Sequence, residues 1–125
     1  MRRLVIESLI LLFYFELVVL FRDFRVLHRL VRKTPVRTGA WPTPRSSKHL
    51  CEAMDLACVF YFKRVLCLQR SSATTVLLRR HGWHALMVIG AQMVPFQSHA
   101  WCELGGVIIN DKPYILETYQ ILDRC

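Results

Sequence analysis

At 125 residues the chain has room for one small domain around a single core, and a second independent domain is not expected. It carries 17 Lys/Arg against 9 Asp/Glu, a net charge of +8, but the excess is one-sided: residues 1–50 hold ten basic and three acidic residues (+7), and residues 51–125 hold seven and six (+1). The five cysteines form no CxxC pair and are odd in number, which argues against a disulfide framework and for a reducing cytoplasm.

Residues 4–21 are apolar apart from Glu7, Ser8 and Glu16, close to the lower length of a membrane span. Two carboxylates are costly in hydrocarbon, and they sit about half a turn out of phase on a helix of ~3.6 residues per turn. The pattern then becomes amphipathic: Phe21, Phe24, His28 and Val31 share one side, Arg22, Arg25, Arg29 and Arg32 another. One reading is a helix packed on the core with its arginines in water. The other is a docking surface for a partner protein or the membrane interface, through residues 4–32.

Pro35, Gly39, Pro42, Pro44 and Ser46-Ser47 mark a linker over 34–48. Helices are predicted from about Lys48 to Val65 and from Cys67 to His81, the second closing on Arg79-Arg80 and Gly82. Strands are predicted at Trp83–Ile89, ending at Gly90, at Gln97–Leu104 after a loop with Pro95, and at Val107–Asn110 across Gly105-Gly106. Residues 114–122 read equally as strand or short helix.

Chemistry concentrates between Cys67 and Asp111. A thiolate is the nucleophile of acyl transfer, and Cys67 opens a helix, where free N–H groups and the helix dipole favour negative charge and can receive an oxyanion. On the first strand of the hairpin, His99, Trp101 and Glu103 share one face. A three-residue Leu104-Gly105-Gly106 loop would pair 103 with 107 and 99 with 111, setting Asp111 opposite His99; a two-residue Gly-Gly turn would pair 99 with 112 and turn Asp111 away. In the first register Asp111 fixes the imidazole tautomer while His99 moves the proton. Taken singly, each residue has an ordinary structural reading: core thiol, edge-strand histidine, turn-ending carboxylate. Arg70 either adds positive potential or anchors the helix, Trp101 shields the pair or simply packs, and Gln69 and Gln97 are the candidates for a second oxyanion donor. Cys102 faces away from His99, Cys51 and Cys58 lack a partnered base, and Cys125 is terminal. His49-x-Cys51 and His81-x-x-His84 lack a second matched pair, so no metal and no cofactor is expected.

The set Cys67-Leu68-x-Arg70-Ser71, Leu77-Leu78-Arg79-Arg80-x-Gly82, Val88-Ile89-Gly90, Pro95-Phe96, His99-Ala100-Trp101-x-Glu103 and Asn110-Asp111 resembles the transglutaminase-like B2 proteins of lasso peptide biosynthesis, over roughly residues 50–112. The apolar helix followed by an Arg-bearing amphipathic stretch is similar to that family's front end. The resemblance implies an α+β, papain/transglutaminase-like fold, with the nucleophile at a helix N-terminus packed on a small antiparallel sheet. It divides the chain into a helical docking segment (1–33), the Pro-rich linker (34–48) and a cysteine peptidase core (49–125). It also implies a standalone leader peptidase with the triad Cys67, His99 and Asp111. The implied partners are a precursor peptide, a separate B1 leader-recognition protein and the lasso cyclase; no nucleic acid is expected. Two other classes remain in view: a catalytically inactive transglutaminase-like binding module, and a basic protein that meets membrane or nucleic acid through residues 1–50.

Overall fold

The computed structural model describes residues 2–36, 47–93, 96–109 and 119–125. Its first helix, α1 (Arg2–Phe21), buries Leu4, Ser8, Leu11, Leu12, Phe15, Glu16 and Val18 along one side at helical spacing, while Ile6, Ile10, Phe13, Leu17 and Leu20 on the other side remain exposed. The two carboxylates that break its apolar pattern are both used within the fold. Glu7 pairs with Arg80 at 2.8 Å and His81 at 3.1 Å. Glu16 accepts from the Tyr61 hydroxyl at 2.8 Å and meets Lys63 at 2.7 Å, and these two contacts hold its carboxyl below the usual carboxylate range against the opposing effect of burial. The half-turn offset between them follows from their facing different neighbours. By length and composition α1 could also cross a membrane; 39% of that window is buried inside the fold.

The amphipathic stretch is a separate helix, α2 (Phe24–Lys33), because Asp23 ends the first and caps the second, accepting from the Val26 N–H at 3.1 Å. It buries Leu27 and Val31. The next helix, α3 (Ser47–Phe60), stops before the expected Val65. Most of the 34–48 linker lies outside the described residues.

At the centre runs α4 (Cys67–Arg80), packed on α1, α3 and the sheet. Ser71, Ser72, Thr74 and Thr75 are buried there, and small side chains let the neighbours approach closely. Their burial is tolerable because Ser72, Thr74 and Thr75 return their hydroxyls to carbonyls one turn back, at 2.7–2.8 Å. The C-terminus closes as expected on Gly82 (φ 93°), with Trp83 N–H on Leu78 and Gly82 N–H on Arg79. Arg79 itself is buried and donates to the carbonyls of Ala85 (2.9 Å), Val31 (2.5 Å) and Thr34 (3.3 Å), tying α4 to the end of α2.

The sheet is antiparallel throughout, in the order β3-β2-β1-β4, with β1 (Ala85–Met93), β2 (Phe96–Leu104), β3 (Val107–Ile108) and β4 (Gln120–Arg124). Ala85, Met87 and Cys102 join the helical core from one face. The register pairs Gly90 with His99, Val88 with Trp101 and Leu86 with Glu103, so the shared face read from the sequence is present. Gly90 does not end its strand. It lies inside β1, paired with His99, and is glycine there because a Cβ would come within 2.5 Å of the Trp101 indole. The undecided C-terminal segment is a strand from Gln120; residues 114–118 and Pro95 lie outside the described residues.

The hairpin departs from the register that the triad argument needed. Gly105 and Gly106 form a two-residue turn, with φ of 60° and 82°, and pair Leu104 with Val107 and Glu103 with Ile108. Two left-handed residues match the natural twist of an antiparallel pair, and two glycines adopt them without strain. The described pairing ends at Ile108, and Asp111 lies outside the described residues.

Candidate active site

Cys67 is the first residue of α4 and is exposed. The preceding Leu66 is extended (φ −79°, ψ 154°) and offers the helix no side-chain acceptor; the ladder begins only with Arg70 N–H on the Leu66 carbonyl at 2.9 Å. The N–H groups of the first turn are thus available where the thiol stands. The other four cysteines are placed differently. Burial pushes the thiol of Cys51 up to about 11 and that of Cys102 to about 12, and raises those of Cys58 and Cys125.

His99 stands near the start of β2, half-buried, its ring 5.4 Å from Tyr119 and 6.1 Å from Trp101 between centroids. Trp101 is fully buried and donates to Glu103 at 3.2 Å, and Glu103 also accepts from Arg124 at 3.3 Å. The chain β4–Glu103–Trp101 thus fixes the aromatic surface on which the imidazole rests. Cys67 and His99 come together in the wall of one small cavity of about 110 Å³, completed by Phe24, Leu68, Ile89, Ser98 and Ala100.

The remaining candidates divide clearly. Gln69 is turned inward: its oxygen accepts from the Leu66 N–H at 3.4 Å and its nitrogen donates to the Leu12 carbonyl at 2.7 Å. Both ends of the amide are engaged, so the expected oxyanion role does not fit its position. Arg70 anchors α4 to α3 through an ion pair with Asp55. Trp101 packs beneath His99 and does not line the cavity. Gln97 is exposed at the start of β2. Asp111 and Asn110 lie outside the described residues. Among the described residues no three His, Cys, Asp or Glu side chains group to hold a metal ion. Tyr119 beside His99, Phe24 beside the thiol and the Glu103–Arg124 ion pair are not readable in the sequence, where nothing in the spacing links residues 24, 99 and 119.

A family model of the transglutaminase-like superfamily matches residues 9–124. The chain belongs to the transglutaminase-like superfamily. The match begins within α1, at Leu9, and reaches well beyond the 50–112 stretch that carries the sequence motifs. Over 73 residues, 57% of this chain and 35% of the relative, it is 33% identical to the microcin J25-processing protein McjB of Escherichia coli. The aligned stretch thus spans about a third of that relative's length. No solved structure matches it.

Proposed function

We propose that the chain is a cysteine peptidase that removes the leader from a lasso peptide precursor. The observation that carries the reading is the single cavity walled by Cys67, at an open helix N-terminus, and by His99. Likeness to a protein named for processing microcin J25 supports the substrate class.

In this reading His99 takes the Cys67 proton as sulfur bonds to the scissile carbonyl carbon. The developing oxyanion is received by the backbone N–H groups of the first turn of α4. The C–N bond then breaks, His99 returns the proton to the departing amine, and water, deprotonated by His99, hydrolyses the thioester. Asp111 is the proposed orienting carboxylate for His99. The precursor, a B1-type recognition protein and the lasso cyclase are the proposed partners.

The test is cleavage of a precursor peptide in the presence of its recognition protein. Cys67→Ala should abolish leader release, and Asp111→Asn should slow it by a factor on the order of 10²–10⁴. Undiminished cleavage by Cys67→Ala would contradict the reading.

A further inference from the structure

Beside the Cys67–His99 cavity lies a second depression, of about 320 Å³, between α2 and β4. Its walls are Phe24, Arg25, His28, Arg29, Arg32 and Asp123, and Phe24 also lines the cavity with the thiol. The two are therefore neighbours across one ring.

Its charge is unbalanced. Arg25, Arg29 and Arg32 recur at i, i+4 and i+7, so they project from one face of α2. Like charges at this spacing oppose the helix by a few tenths of a kcal/mol per pair. The one carboxylate in the groove, Asp123, is held by His28 at 2.5 Å. Among the described residues no carboxylate pairs with the three guanidiniums. The helix that carries them is nonetheless firmly placed, capped by Asp23, bound at its C-terminal carbonyls by Arg79 and tied to β4 through His28. Exposed, unneutralised guanidiniums carried on a fixed helix match carboxylates in geometry as well as charge.

We infer that this groove binds an acidic stretch of the polypeptide whose scissile bond lies at Cys67. The inference rests on the peptidase reading and deepens it, by assigning acidic side chains to the substrate segment that flanks the cleaved bond. A membrane surface or nucleic acid would also meet basic charge, but neither explains a groove that shares Phe24 with the thiol's cavity.

The experiment measures fluorescence anisotropy of a labelled Glu-rich synthetic peptide with the full chain, beside its Gln-for-Glu counterpart. The Glu peptide should bind more tightly and weaken as salt rises. The Arg25→Gln/Arg29→Gln/Arg32→Gln variant should bind it about tenfold more weakly, the effect of three exposed ion pairs, whereas Arg3→Gln, at the far end of α1, should bind as the parent does. Equal affinity for the two peptides, salt-independence in the parent protein, or an unaffected triple variant overturns the inference. So does displacement of the peptide by phosphatidylglycerol vesicles or duplex DNA at lower concentration than by unlabelled peptide. Binding needs no thiol, so Cys67→Ala should retain it. Retained binding without Cys67-dependent cleavage sinks the peptidase reading alone; lost binding with Cys67-dependent cleavage sinks the groove alone.

Discussion

The ring of His99 rests against that of Tyr119, with centroids 5.4 Å apart and planes 31° from parallel. The first residue after the undescribed 110–118 stretch thus holds the proposed base. Tyr119→Ala should lower kcat for leader release about ten- to a hundredfold by letting the imidazole wander, with little change in KM. Tyr119→Phe, which keeps the ring, should restore it. Equal kinetics for all three proteins would remove Tyr119 from the account.

Gly90→Ala places a methyl group 2.5 Å from the Trp101 indole and 2.7 Å from a second of its carbons. Trp101 is fully buried and cannot swing away freely. The variant should lose about 1–3 kcal/mol of stability, read from urea denaturation followed by tryptophan fluorescence. An unchanged midpoint would mean that the indole is not fixed over Gly90.

Gln69→Ala removes the acceptor for the Leu66 N–H and the donor to the Leu12 carbonyl, both of which position the N-terminus of α4 against α1. A loss of about 1–3 kcal/mol is expected for these two contacts, one of them buried. If Gln69 instead met the oxyanion, kcat would fall while the denaturation midpoint stayed in place.

The fold is favoured by keeping buried thiols neutral. Burial raises Cys51 to about 11 and Cys102 to about 12 from 9.0, so their contribution is intact below pH 9 and is lost as pH rises through those values. Tyr61, raised to about 12 by burial and by its bond to Glu16, acts in the same direction. The urea midpoint should therefore hold from pH 7 to 9 and fall steadily towards pH 11. Cys102→Ala should flatten that fall, and a parallel fall in the variant would assign it elsewhere.

Much of this architecture was legible from local chemistry. Gly82 after Arg79-Arg80 marked the end of α4, and alternation put His99, Trp101 and Glu103 on one face. Gly-Gly marked the hairpin, but its two-residue form depends on strand twist, and one residue more or less reverses every side chain beyond it. Long-range partners were out of reach. Glu7 and Glu16 looked like obstacles to a clean helix because Arg80, His81, Tyr61 and Lys63 lie 45 to 74 residues away. Gly90 looked like a strand end because the ring that requires it belongs to the neighbouring strand. Asp23 is a readable cap within a run of apolar and basic residues, its short carboxylate standing three residues before the Val26 N–H that it accepts from.

The central claim is that Cys67 and His99 act as one reactive pair, and site-resolved alkylation tests it most directly. Iodoacetamide at pH 6, followed by peptide mass spectrometry, should modify Cys67 ahead of the four burial-shielded thiols and faster than free cysteine. In His99→Gln that advantage should disappear. Alkylation of Cys67 at the free-cysteine rate, unchanged by His99→Gln, would contradict the account.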